Sequence, residues 1–170
     1  MFHVTNSMLE TWKKQNEPIA TAMDIARIEM VIRGKLPVPY LEFIEKYGYV
    51  IFGEDNEQRY HFEYKIYFPD RIEIHEGNIA FLHNAEQVIT AYQNMTVAEF
   101  EKDQTSPAIP ANYLPIGNDM GQGQILLELG EHAGRVWYWP FNEWAWGTED
   151  NTWLGFVAND FYEFINRLRP

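Results

Sequence analysis

The chain has no cysteine, so neither a disulfide framework nor a thiolate zinc site can contribute to its fold. No apolar run approaches the ~18 residues needed to cross a bilayer. The first sixteen residues, MFHVTNSMLETWKKQN, lack a basic stretch followed by an apolar one. The expectation is a soluble cytoplasmic protein, in which Asn94-Met95-Thr96 is a chance sequon. Basic residues are also scarce: 13 Lys and Arg stand against 25 Asp and Glu, for a formal net charge of −12. The imbalance is uneven. Between Asp103 and Glu163 lie nine acidic residues and one basic residue, Arg135, so that segment alone carries −8. Nucleic acid would be repelled, since affinity for it rests on cations that displace counterions from phosphates. A basic protein would be steered in. Acidity of this kind also serves plain solubility.

What is present suffices for a core. Hydrophobic residues make up 46% of the 170 and aromatics 16%. The length fits one domain over residues 1–170, with no repeat or Pro/Gly/Ser linker to divide it. Ser7 and Glu10 have capping-box spacing and predict a short helix through Lys14. Thr21 and Asp24 do the same ahead of Ile25, Ile28 and Ile32, with Gly34 at the expected left-handed C-terminal position. Pro39 suits the first turn of a helix carrying Tyr40, Phe43, Ile44 and Tyr47, ended by Gly48. Tyr60, Phe62, Tyr64, Ile66 and Phe68 alternate with more polar residues and predict a half-buried strand. Ile72–Ile74 and Ile79–Leu82 read as short strands. Asn84 and Gln87 cap a helix bearing Val88, Ala91, Tyr92 and Met95. Asp103–Asn112 reads as a surface loop and Trp144–Thr152 as irregular, and Asn159 caps a last helix with Phe161, Phe164, Ile165 and Leu168 inward. Helices at both ends around a central run of strands predict an α+β domain.

The stretch Tyr113–Pro140 reads as a strand, a glycine-rich loop and two strands joined by a Gly-bounded turn. Its loop, GNDMGQGQ, lacks the Gly-Lys-Ser/Thr ending of a phosphate loop, and a strand rather than a helix follows. Glycines occupy positions where a calcium loop needs oxygen ligands. His3, His61, His75, His83 and His132 show no metal-motif spacing. Glu63-Tyr64-Lys65 and Pro69-Asp70 resemble parts of a restriction-type nuclease motif in the wrong order. Asp119 and Glu128 form a conceivable acid/base pair, but among 25 acidic residues such pairs arise freely. The reading is no catalytic residue, no cofactor and no metal.

With an odd-numbered turn at Gly130–Gly134, the hairpin pairs Leu129/Arg135, Leu127/Trp137 and Ile125/Trp139 on one face. Glu128/Val136 and Leu126/Tyr138 then share the other; the first face, mainly apolar, packs under helices and the second, mixed, stays partly exposed, and a one-residue change in the turn would exchange these roles. Five tryptophans fall within seventeen residues: Trp137, Trp139, Trp144, Trp146 and Trp153. Trp144 and Trp146 lie outside the strand pattern beside Glu143, Glu149 and Asp150, a composition suited to an interface with a basic partner. The candidate contacts are Asp119, Glu128, Glu143, Trp144, Trp146, Glu149 and Asp150.

The series Ile25…Ile28…Leu36-Pro37…Tyr40…Phe43…Tyr47-Gly48 is similar to the N-terminal signature of the SUKH superfamily. Leu114-Pro115-Ile116-Gly117, the glycine loop, Ile125–Leu129 and Gly134–Trp139 resemble its central signature. Val157–Phe164 resembles the closing one, and together these anchors span about residues 21 to 168. The Tyr60–Phe68 region is more elaborate than usual, and Asn159-Asp160 stands where the family tends to show Asp-Ser. The resemblance implies a Smi/Knr-like fold with a central, mainly antiparallel sheet flanked by helices. It also implies non-catalytic protein binding. Bacterial members look like immunity proteins that neutralise toxin domains, often nucleases, and fungal relatives of the Smi/Knr type regulate cell-wall glucan synthesis. A basic toxin domain is the expected partner, without direct nucleic-acid or membrane binding. A regulatory interaction protein is the alternative, and a small-ligand-binding protein the third reading.

Overall fold

The structure, a computed structural model, describes residues 1–13, 19–52, 60–96, 109–119, 121, 123–140 and 154–170. Helix α1 (Asn6–Lys13) is opened by Thr5, whose hydroxyl and carbonyl accept the Met8 and Leu9 N–H groups. The helix thus starts before Ser7, the expected cap, which lies in its first turn. Helix α2 (Ala22–Ile32) has the expected reciprocal box: Asp24 N–H donates to the Thr21 hydroxyl at 3.2 Å, and Thr21 N–H donates to the Asp24 carboxylate at 3.0 Å. Its left-handed terminal residue is Arg33 (φ 54°), not Gly34. Glu29 holds that turn by accepting from Lys35 Nζ at 2.6 Å and from Leu36 N–H at 3.2 Å. Helix α3 (Val38–Tyr47) carries Pro39 in its first turn, buries Tyr40, Phe43 and Ile44, and ends at Gly48.

Strands β1 (Tyr60–Tyr67) and β2 (Ile72–Ile79) form a hairpin with every residue paired, from Tyr60–Ile79 to Tyr67–Ile72. β2 therefore runs through what the sequence splits into two short strands, and β3 (Phe81–Leu82) follows as a separate piece. Pairing along the whole of β1 overrides the glycine at Gly77, and a Cβ there would lie 2.8 Å from the Phe62 ring. Helix α4 (Ala85–Thr96) is capped as expected, with Gln87 N–H donating to Asn84 and Asn84 N–H to Gln87. Strands β4 (Tyr113–Asn118), β5 (Gln124–Glu128), β6 (Val136–Trp139) and β7 (Gly155–Ala158) complete the sheet. Helix α5 (Phe161–Arg167) is capped by Asp160 rather than Asn159; Glu163 N–H donates to Asp160 at 2.8 Å. Asn159 instead donates its N–H and its amide to the Glu163 carboxylate.

The fold is α+β. The seven strands lie in the order β2-β1-β7-β6-β5-β4-β3, and every pairing is antiparallel. β7, which the sequence pattern does not announce, sits between β1 and β6 and joins the first hairpin to the rest. The inner face contributes Phe62, Ile66, Leu114, Ile116, Ile125, Leu127, Val136 and Val157 to a core shared with Ile28, Tyr40, Phe43, Ile44, Phe161 and Phe164 from the helices. A smaller cluster on the outer face holds Ile109, Leu126 and Trp139. Each fully buried side chain of this size contributes about 1.5–3 kcal/mol.

The β5–β6 register differs by one from the expected one: Leu127 faces Val136, Leu126 faces Trp137 and Ile125 faces Tyr138. The cause is a bulge at the turn. Gly134 N–H donates to the Glu128 carbonyl, and Glu128 N–H donates to the Arg135 carbonyl, both at 2.8 Å. Two residues thus oppose one, and Gly134 supplies the positive φ (103°) that such a bulge needs. Ile125 and Leu127 stay on the helix side, but Val136 and Tyr138 join them in place of Trp137 and Trp139.

Candidate functional site

The glycine loop after β4 is organised by Asp119. Its Oδ1 accepts the N–H groups of Gly121 at 2.7 Å and Gly123 at 3.0 Å, and its Oδ2 accepts the Tyr138 hydroxyl at 2.7 Å. Asp119 N–H donates in turn to the Gly123 carbonyl at 3.1 Å. Gly123 is glycine for space: a Cβ there would collide with the Tyr138 hydroxyl and lie 2.5 Å from Asp119 Oδ2. The polar groups that make this loop look like a ligand cradle therefore fasten it to β6. Burial, followed by the bond to Asp119, pushes the Tyr138 phenol far above its usual range.

Glu128 is also engaged within the chain, on the outer face of the sheet. Only 7% exposed, it accepts the Trp137 indole N–H at 2.8 Å. Trp137 meets Phe156 edge-on with centroids 5.3 Å apart and Tyr113 at 6.3 Å, while Phe156 meets Tyr67 at 6.5 Å. A row of rings thus crosses the outer face from β1 through β7 and β6 to β4. Alternation in β1 assigns Tyr67 to the exposed side. Phe156 has no such signal, because the short strand that holds it carries no period of its own.

Asp119 and Glu128 are not brought together. Asn118 pairs with Gln124 and Tyr113 with Glu128, which puts the two carboxylates at opposite ends of the five-residue strand β5. Glu143, Trp144, Trp146, Glu149 and Asp150 lie outside the described residues, as do Trp153 and the 103–108 part of the expected loop. Their flanks are placed. Trp139 pairs with Gln124 and Gly155 with Tyr138, so the chain leaves β6 and enters β7 at the end of the sheet that carries Asp119.

Between β1 and β7 the register records one pair, Lys65 with Phe156, and Arg169, near the C-terminus, pairs with His61 farther along. A cleft of about 400 Å3 opens there, lined by Phe62, Phe156, Val157 and Phe164 and by the charged residues Glu63, Lys65, Arg167 and Arg169. Its arginines are engaged: Arg167 with Glu163 at 2.5 Å, and Arg169 with Glu76 at 3.4 Å and Glu63 at 3.6 Å. Among the described residues, no group of three or more His, Asp and Glu side chains could hold a metal ion. No helix among them is long and apolar enough to cross a membrane.

A search among curated proteins found no match. The model of the SMI1 / KNR4 family (SUKH-1) matches residues 19–167, a span that runs from the lead-in to α2 to the end of α5 and takes in every strand of the sheet. The chain belongs to the SMI1 / KNR4 family (SUKH-1).

Proposed function

We propose that this chain is a non-enzymatic, cytoplasmic immunity protein that binds and neutralises a toxin domain with a basic surface, such as a nuclease. The observation that carries the reading is the segregation of charge. Residues 103–163 hold nine carboxylates and a single Arg, in a chain whose total is −12. A field of that sign raises the association rate of a cationic partner and opposes nucleic acid. Family membership supports a protein-binding role. The contact set is Asp119, Glu128, Glu143, Trp144, Trp146, Glu149 and Asp150. Asp119 contributes by shaping the loop at the end of the sheet where the chain leaves β6 and enters β7, and Glu128 by holding the Trp137 ring. The tryptophans supply the apolar anchors that slow dissociation, and the acidic groups occlude the cationic site of the toxin.

The test is binding of a basic toxin domain encoded beside this gene, followed by stopped-flow mixing at several salt concentrations. The association rate falls as salt rises, and Glu143→Lys, Glu149→Lys and Asp150→Lys together slow it further and abolish protection. A confirmed partner that binds the triple variant as fast as the parent would refute the acidic-face mechanism.

A further inference from the structure

The two borders of the sheet differ. β3, at one border, has two residues, whereas β2, at the other, has eight in unbroken register with β1. Phe68 N–H donates to the Arg71 carbonyl at 2.8 Å, which makes that pair hydrogen-bonded. In an antiparallel ladder the bonded pairs alternate, so Ile66–Glu73, Tyr64–His75 and Phe62–Gly77 are bonded as well. Ile72, Ile74, Glu76 and Asn78 therefore turn their N–H and C=O groups away from β1. The far side of β1 agrees: His61, opposite Asn78, exchanges both of its bonds with Arg169 at 2.7 and 3.0 Å. Ile72 and Ile74 are also 58% and 62% exposed, beside Tyr67 at 51%. A long, unbulged edge with apolar side chains is a template for another strand.

We propose that β2 pairs antiparallel with β2 of a second copy of this chain, about a two-fold axis at Ile74. The choice of occupant and register rests on charge. An axis at Glu73 or Glu76 would set a carboxylate against its own copy, one at His75 would oppose two imidazoles, and one at Ile72 would leave Glu76 and Asn78 beyond the paired stretch. With the axis at Ile74, the two Ile74 side chains meet on the outer face. Each Glu73 then faces His75 of the other copy, twice over, and Ile72 faces Glu76. No like charges lie directly opposite. Within one strand His75 Nε2 already lies 3.2 Å from Glu73 Oε2, so both groups occupy the face where the intermolecular pairs would form. The N–H and C=O groups that Ile72, Ile74 and Glu76 turn away from β1, without a partner among the described residues, supply the new ladder, and the two sheets become one.

The absence of cysteine makes the test clean, because Ile74→Cys introduces a single thiol at an exposed position. A nitroxide attached there sits on Cα atoms about 5.5 Å apart in the pair. Its spectrum is expected to be dipolar-broadened and to sharpen when labelled chain is diluted with excess unlabelled parent. A label at Gln93→Cys, on an exposed position of α4, stays sharp. Sedimentation of the parent shows a concentration-dependent dimer, and Ile74→Lys, which sets two ammonium groups at the axis, weakens it about tenfold or more without changing the circular dichroism. A parent that stays monomeric overturns the proposal, as does a dimer that Ile74→Lys leaves intact or one in which the Ile74→Cys label stays sharp. A monomeric chain that loses toxin binding on Ile74→Lys would also overturn it, and would assign the edge to the toxin instead.

Discussion

The Tyr138 hydroxyl donates to Asp119 at 2.7 Å, closing a bond between residues 19 positions apart that pins the glycine loop to β6. The same carboxylate collects two backbone N–H groups, so its loss would strand three donors. Asp119→Ala should lower stability by about 2–3 kcal/mol because three donors lose a charged acceptor, and Tyr138→Phe by about 1.5 kcal/mol because it removes one of those bonds. Urea denaturation midpoints check both values. An Asp119→Ala variant as stable as the parent would refute the loop-anchor role.

Glu128 and Trp137 form the second such pair. Glu128→Ala leaves a half-buried indole N–H without its acceptor and should cost about 1–3 kcal/mol, while Glu128→Gln, which keeps an acceptor oxygen, should cost less. Thermal denaturation of the two variants side by side tests the ordering.

Gly155 opens β7 directly beside Tyr64. A Cβ at that position would collide with the ring, lying 2.9 Å from Cγ. Gly155→Ala should destabilise by about 1–3 kcal/mol through overpacking, and Tyr64→Leu in the same chain should recover part of the loss. Additive losses in the double variant would refute a clash between these two groups.

Stability should peak between about pH 6.5 and 10. Burial pushes the Tyr40 and Tyr138 phenols above their ordinary 10.0, so the unfolded chain ionises first and stability falls as pH rises past 10. Burial pushes His83 below 6.5, against a smaller opposing pull from Gln124, so the unfolded chain binds protons first and stability falls as pH drops below 6.5. Asp24, held down by the Thr21 side chain, and Glu29, held down by Lys35, add a further loss as pH falls through the range below their ordinary 3.8 and 4.5. Melting temperature against pH, with tyrosine absorbance on the alkaline side, reads each limb. An absorbance titration in which every phenol of the folded chain ionises near pH 10 would contradict the alkaline limb.

Legibility followed the range of the interactions. The Thr21–Asp24 and Asn84–Gln87 caps were readable because donor and acceptor are three residues apart. The buried side of β1 was readable because strand side chains alternate wherever the strand lies. Caps failed where a neighbouring polar residue could serve equally: Thr5 took the place of Ser7, and Asp160 that of Asn159. The hairpin register failed at one residue, since the Gly134 bulge depends on how Glu128 bonds across the turn. β7 leaves no such mark, because four residues carry little periodicity of their own and become a strand between β1 and β6.

The family signatures, the helices, the mixed class of the fold and the concentration of negative charge in the second half of the chain are all written in the sequence. These depend on composition and on residues within a turn or two of each other. Long-range packing brings the oxygens of Asp119 and Glu128 to Tyr138 and Trp137, sets the two residues at opposite ends of β5 and, among the described residues, leaves β2 as the long border of the sheet. Each of those outcomes is a pairing between segments far apart in the chain. Such pairing is set by which surfaces a folded sheet brings together, and local sequence carries no record of it.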